Sequence, residues 1–439
     1  MAEASTAREG TQSNAAHSSA GELLLRLLGA ALQVVATWAV VHVLTPQEAG
    51  IYFRGLVLAL GLSTLLRGKY ELYMAHHIIG WCVTRTGSPT GVLLMQLAGR
   101  MLVRATLLCG ALLVVTADLD IRAPQLQTLL QTYLPFVLAL PCISLATLLG
   151  QALRAANRTL GIVVATYAVN VSMILAVALA PPGASLALYS WAFLLGSLVS
   201  AAVAAVLAWR AFPASLAEAS QPISRETLQA VDSRELIGLV RGAVLWGPLC
   251  ILALWAPAVE IAQYAVAART ALIVDFFLPA LNLTGCRETL RADQLLQAPS
   301  RRQLLMQLAA ALLYSSAFVA ALLVLAPTTL AIYGRPYDTQ LTVYALLLGV
   351  QWINGVGRPA IRHAVVEWDA RRIAVAVGSG ALAALLICGV AVANYGAVAA
   401  AAGSLMGALI VNGRAILMAL SDRHAGESQP GSPSPRGSV

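Results

Sequence analysis

The chain is predicted to be an all-α polytopic membrane protein. About twelve transmembrane helices form two parallel six-helix repeats, with both termini on the cytoplasmic side, N-in and C-in. Three observations predict this. Of 439 residues, 59% are apolar and 11% charged, with mean hydropathy +0.77; soluble domains run about 45–50% apolar and about 25% charged. So apolar a chain lacks the polar surface to cover a soluble globule. The basic residues gather in alternate loops, and a motif near the start returns 212 residues later.

Taken in order, residues 1–21 are polar and rich in Ala, Ser and Thr, and read as a disordered cytoplasmic leader. The apolar helix that follows is too long for the core of a signal peptide. An N-terminal six-helix bundle (22–211) has apolar segments at 22–44, 49–66, 92–116, 126–149, 160–180 and 186–208. A polar cytoplasmic linker, 212–235, joins it to a second bundle, 236–420. There the segments are 236–256, 261–283, 304–325, 341–356, 373–392 and 395–420. The stretches 49–66 and 341–356 are short for a span and are expected to continue into their polar flanks. The tail, 421–439, is rich in Ser, Pro and Gly and reads as disordered. Pro135, Pro141 and Pro279 fall inside spans and predict kinks.

Orientation comes from the arginines. With the N-terminus inside, the cytoplasmic segments hold nineteen basic residues and the opposite side two, Arg122 and Arg335. This is a strong positive-inside signal. The remaining seven of the 28 lie within spans: Arg26, Arg54, Arg100, Arg104, Arg241, Arg269 and Arg414. The net charge of +8 is spread between apolar segments and forms no patch, so topology explains it and nucleic acid binding does not. The six cysteines make no C-x-x-C, and neither a disulfide framework nor a zinc site is read from them. His76-His77 has no third ligand near it in sequence.

The duplication is legible in pieces. Thr45-Pro46-Gln47 turns the chain into a helix carrying Glu48, Tyr52 and Arg54, which ends on the basic segment Arg67-Gly68-Lys69. Glu48 and Tyr52 recur as Glu260 and Tyr264. Ala156-Asn157-Arg158 matches Asp369-Ala370-Arg371, and Gly196-Ser197-Leu198 matches Gly403-Ser404-Leu405. Each copy holds six spans and starts on the same side, so the copies are parallel repeats with a cavity expected between them.

Glu48-Ala49-Gly50-Ile51-Tyr52 opening an apolar helix, its echo with Tyr264, and the run from Asn394 through Gly396 to Ser404 resemble polysaccharide flippases. These form the Wzx-like O-antigen and exopolysaccharide branch of the multidrug/oligosaccharidyl-lipid/polysaccharide (MOP) exporter superfamily. The resemblance covers nearly all of 21–420. It implies MATE/MOP-like bundles facing each other in a V, and export of undecaprenyl-pyrophosphate-linked oligosaccharides across the bacterial inner membrane by alternating access. A lipid-linked oligosaccharide and membrane lipids are then the expected partners, beside a polysaccharide polymerase and a chain-length regulator. No cofactor is expected, and a coupling ion, H+ or Na+, is left open.

Candidate site residues follow from the cost of charge in hydrocarbon, roughly 2.5–3.5 kcal/mol for an arginine even on insertion scales. Arg26 lies on a stripe with Gly29, Gln33 and Thr37, one polar face of the first helix, although Arg26 also reads as snorkelling to the headgroups. Arg54 is near an end and could do the same. Arg100 and Arg104 share a face of the third helix, and two like charges on a dry face point to a water-filled cavity or an anion between them. Arg269 is deep in its helix; Asp275, six residues on, lies some 120° round and is not obviously its partner. Gln351 and Asn354 give the tenth span a polar face, for sugars or for helix–helix contact. Tyr167 and Asn170 make a weaker case of that kind.

The sign of the buried charge discriminates. Arginine forks take phosphate bidentately and stay charged at any depth, and no buried carboxylate is read in the N-terminal spans. The lipid II flippases of the same superfamily are similar in lining a cavity with arginines from the first, second and eighth helices, where Arg26, Arg54 and Arg269 fall. The chain lacks the two extra C-terminal helices of that branch. A drug/cation antiporter on the same fold would need a membrane-embedded carboxylate, and only Asp275 offers one. A polymerase or ligase would need a large outer loop, and the outer loops are short.

Overall fold

The computed structural model describes residues 24–25, 27–84, 90–122, 127–155, 159–181, 183–212, 225–232, 235–274, 301–367 and 370–427. Among them there is no strand. The N-terminal half consists of α1 (Leu27–Val43), α2 (Pro46–Thr84), α3 (Thr90–Arg122), α4 (Gln127–Ala155), α5 (Thr159–Leu179) and α6 (Leu186–Ala211). The linker contains a short helix, α7 (Arg225–Asp232). The C-terminal half has α8 (Glu235–Trp255), α9 (Ala258–Ala271), α10 (Arg301–Val324), α11 (Ala326–Ala331), α12 (Leu341–Glu367) and α13 (Ala370–Glu427).

α13 serves as two spans. Its helix breaks at Gly396, where φ is +46° and ψ −122°. A side chain costs roughly 1–2 kcal/mol in the left-handed region, and a Cβ here would also run into the Glu260 carboxylate. The chain therefore bends where the 394–396 stretch was expected to turn. Gly183, at φ +77°, occupies the corresponding turn between α5 and α6. Beyond the turns, Gly196 of α6 packs on Ser172 of α5 just as Gly403 packs on Ala384 across the two limbs of α13. The repeats thus share their close helix approaches, the usual device of membrane helix packing.

The two copies of the opening motif have diverged at one atom. Thr45 and Glu48 form a reciprocal cap on α2: the Thr45 backbone N–H and hydroxyl donate to Glu48 Oε2 at 3.0 and 2.7 Å, and the Glu48 N–H donates to Thr45 Oγ1 at 3.3 Å. Pro257 stands where Thr45 does and has no hydroxyl. Glu260 instead accepts the Ala397 N–H at 3.3 Å, capping the second limb of α13 across the bend.

α2 is the element around which the halves assemble. It packs on α3 and α4 of its own half, on α7, and on α8 and α9 of the other half. Tyr52, Phe136 and Phe193 stack in a fully buried aromatic cluster, with ring centroids 5.1–6.2 Å apart. At the start of α2, Gly50 lies directly on the Ala258 carbonyl, so closely that a Cβ would overlap it. That contact lets the halves touch backbone to backbone.

The 39 residues of α2 make a rod of about 58 Å, about twice the thickness of bilayer hydrocarbon. The stretch 49–66 thus continues into its polar flank, and Arg67-Gly68-Lys69, read as closing the helix, lies mid-helix. Arg67 and Glu71 pair at i, i+4 with 2.5 Å between them, and Tyr70, Met74 and Ile78 continue the apolar face into a second core with α3 and α4. α12 likewise extends beyond its apolar segment. α4 runs helically through Pro135 and Pro141, and Pro279 lies outside the described residues.

Six helices among the described residues are long and apolar enough to cross a membrane, the bent α13 counting once. Their outer faces carry exposed Leu107, Val114, Leu195, Leu313, Val390 and Leu417. On α6, exposed Trp191 and Trp209 are set about 27 Å apart, the spacing of two aromatic belts across a bilayer. The chain is a multi-pass membrane protein.

Candidate functional site: a cationic seam between the halves

Gln33 and Thr37, one turn apart on α1, face the C-terminal half, and Arg269 of α9 meets them there. Arg269 Nε donates to Thr37 Oγ1 at 2.8 Å, and Arg269 Nη2 donates to Asn170 Oδ1 of α5. Gln33 Nε2 donates in turn to the Arg269 backbone carbonyl at 2.6 Å, while the Thr37 hydroxyl donates to the Gln33 carbonyl at 2.8 Å. One arginine of the second repeat is thereby held by two helices of the first. Tyr167 of α5 bonds the Leu25 carbonyl and lays its ring on Gly29, which locks α5 against α1. The stripe read on the first helix is this surface.

Arg54 of α2 makes the reverse crossing. Its Nη2 donates to the carbonyl of Ala256, at the end of α8, at 2.8 Å. Its Nε is buried and makes no hydrogen bond of good geometry among the described residues, and its guanidinium lies within hydrogen-bonding and electrostatic reach of the Tyr133 hydroxyl. Tyr52 also keeps a buried, unpartnered hydroxyl, within electrostatic reach of Arg269. The Thr270 and Tyr333 hydroxyls are 3.0 Å apart on the C-terminal side of the same seam.

No ion pair among the described residues includes Arg54 or Arg269. All their hydrogen-bond acceptors are neutral carbonyl, amide and hydroxyl oxygens. Withdrawing a guanidinium from water costs several kcal/mol, and neutral acceptors return only part of it. Among the described residues the seam has no carboxylate to offset this charge, and the Arg54 Nε and the phenolic hydroxyls of Tyr52 and Tyr133 lie around it. Arranged so, it can take an anion with bidentate geometry.

Of the other sequence candidates, Gln351 is buried on α12 with its Oε1 unpartnered among the described residues, and Asn354 accepts a bond from Asn412 Nδ2 at 3.0 Å. Asn354 thereby lies against α13 and takes the helix–helix role that its spacing left open. Arg100 and Arg104 are exposed on α3 and do not join Arg54 and Arg269. The reason is the length of the α2–α3 hairpin. Arg104 and Tyr70 are each 14 residues from the end that joins their helices, and the Arg104 guanidinium sits 5.7 Å from the Tyr70 ring. That level is about 35 Å along α2 from its first residue, far from Arg54 near the start of the same helix. Arg26 and Asp275 lie outside the described residues. Sequence reasoning underweighted Asn170, whose partner is 99 residues away. Its signal was a lone amide in the apolar fifth span. No group of three metal-ligating side chains occurs among the described residues.

The helices meet on a polar seam, and the comparisons make the fold specific: it is shared with solved structures of the MOP superfamily. The chain is similar to a structure of the lipid II flippase MurJ in an inward closed conformation, with TM-score 0.68 and 12% identity over 91% of this chain and 86% of that one. It is similar also to a MOP superfamily transporter from Pyrococcus furiosus whose binding pocket is described as of reverse polarity, suggesting a different function. There the TM-score is 0.63 and the identity 12%, over 94% and 96% of the two chains. An inward-facing multidrug resistance MATE family transporter matches with TM-score 0.58 and 13% identity, over 93% and 100%. No family model and no curated protein sequence matches the chain.

Proposed function

We propose that the chain is a flippase of the polysaccharide branch, moving undecaprenyl-pyrophosphate-linked oligosaccharides across the bacterial inner membrane for exopolysaccharide or O-antigen synthesis. The observation that carries this reading is the pair Arg54 and Arg269, set where the halves meet and free of any carboxylate partner among the described residues. A diphosphate supplies the missing countercharge. Gln33, Asn170, Tyr52 and Tyr333 around it offer the mixed donors and hydroxyls that a glycan uses. The lipid II flippase MurJ lends the fold a lipid-linked precedent. In this reading the crossings Arg269–Thr37, Arg269–Asn170 and Arg54–Ala256 hold the empty carrier shut at one face. The incoming pyrophosphate takes over those donors, and the halves rock apart around it.

The test is reconstitution. Proteoliposomes containing the wild type are expected to translocate a fluorescent polyprenyl-pyrophosphate saccharide, and Arg54→Ala/Arg269→Ala to lose that activity while remaining folded. Extrusion of a cationic dye against a proton gradient, with no saccharide translocation, would instead assign the chain to the antiporter class.

A further inference from the structure

A second cationic site lies outside the seam, in the second half of α2. Lys69 has only 3% of its side chain exposed, and its Nζ meets Asp232 Oδ1 of the linker helix α7 at 2.7 Å. The Tyr70 ring stands between two cations: Lys69 Nζ is 5.6 Å and Arg104 Cζ 5.7 Å from its centroid. Arg100 precedes Arg104 by one turn on the same exposed face of α3. Both arginines project from a helix whose side chains lean toward its N-terminus, the end expected to be cytoplasmic. The Asp232 side chain itself is 63% exposed and is carried on a helix of eight residues. Taking a carboxylate away from a buried ammonium is costly, so a group that displaces Asp232 is favoured if it brings negative charge.

We propose that Lys69, Arg100 and Arg104 form a docking site for the phosphate headgroup of a lipid at the cytoplasmic face, which the Asp232 carboxylate of the linker helix occupies in the resting state. Depth argues for a lipid. Lys69 is about 35 Å along α2 from its start, roughly one bilayer thickness from the opposite surface, and thus at the headgroup level. Charge argues for phosphate: three cations converge on one exposed carboxylate, and Lys69, Arg104 and Arg100 hold that carboxylate below its usual range, the Lys69 hydrogen bond foremost. α7 lies between the two bundles in sequence, so releasing it would loosen the tether that joins them. The linker helix is then a lid sensitive to lipid phosphate, separate from the seam. The site draws on the proposed cargo only for its headgroup chemistry.

The experiment measures lipid retention by native mass spectrometry on the full chain in phosphatidylcholine nanodiscs, titrated with dioleoylglycerol pyrophosphate. Dioleoylglycerol and inorganic pyrophosphate are the separate arms. All substitutions are at exposed positions, and the seam arginines are intact in every variant. Asp232→Asn is expected to tighten binding at least about fivefold, and Arg100→Gln/Arg104→Gln to weaken it about tenfold or more. Equal retention by wild type and both variants overturns the site. Inorganic pyrophosphate competing as well as the lipid overturns the lipid assignment. Because equilibrium binding is read, a failure of saccharide transport leaves this site standing, and a failure here leaves the seam standing.

Discussion

Replacing Arg269 with alanine should open the seam more than it destabilises the protein. In the closed state the side chain gives two hydrogen bonds across the halves, to Thr37 at 2.8 Å and to Asn170. Bonds to a charged donor contribute about 1.5–3 kcal/mol each, so closure loses about 3–6 kcal/mol before desolvation is counted. Removing a poorly compensated guanidinium returns part of that, and Thr37 keeps its bond to the Gln33 carbonyl. A net loss of about 2 kcal/mol shifts the closed-to-open ratio about 30-fold. The reporter is a cysteine at Ala256, a buried position whose carbonyl accepts the Arg54 bond, in a background without native cysteines. Its alkylation by a membrane-impermeant maleimide from the outer side should be slow in the wild type and at least tenfold faster with Arg269→Ala. Arg269→Lys, which keeps the charge but not the fork, should fall between. If Ala256→Cys stays as protected in Arg269→Ala as in the parent, these crossings do not hold the seam and the reasoning is wrong.

Other outcomes follow from the same contacts. Asn170→Ala removes an acceptor of Arg269 and should cost about 1–3 kcal/mol, read as a lower melting temperature in detergent. Gly50→Val places a side chain on the Ala258 carbonyl, so the halves should fail to close and Ala256→Cys should label rapidly although membrane insertion is normal. Gly396→Ala should lower stability by about 1–2 kcal/mol through its positive φ, and by more because its Cβ meets Glu260. For the linker, the Asp232 carboxyl is depressed in the fold, so its contribution is complete above its ordinary pKa and is lost only as pH falls through the lower folded value. Protease cleavage at the linker should therefore be flat from about pH 5 to 8 and rise only below about pH 4.

How much of this was legible depended on whether a residue's partner lay on its own helix. The polar stripe of α1 was readable because Gln33 and Thr37 are one turn apart, and both do meet Arg269. Arg54 and Arg269 were readable from the cost of charge in an apolar segment. Asn170 was nearly invisible: a single amide has no period, and the arginine it serves belongs to the other repeat. Arg100 and Arg104 do share a face, but that face is exposed and does not join Arg54 and Arg269. Hydropathy ended the second span at residue 66, whereas the Arg67–Glu71 pair and the Tyr70, Met74, Ile78 face carry α2 on as helix and lift α3 with it. The linker helix escaped notice because its packing rests on Val231 and on Asp232, whose partner is 163 residues away. The bend at Gly396 was visible in outline, but its cap by Glu260 was not, since that depends on a hydroxyl that Pro257 lacks.

The central claim is that two arginines with no carboxylate partner among the described residues, held where the repeats meet, recognise a diphosphate. Its most direct measurement compares translocation of two cargoes by the same proteoliposomes: a polyprenyl-pyrophosphate oligosaccharide, and the same glycan joined to the polyprenyl chain without phosphate. The account predicts that the wild type moves the first at least about a hundredfold faster, the equivalent of two charge-assisted hydrogen bonds, and that Arg54→Ala/Arg269→Ala erases the difference. Equal rates for the two cargoes in the wild type would contradict it.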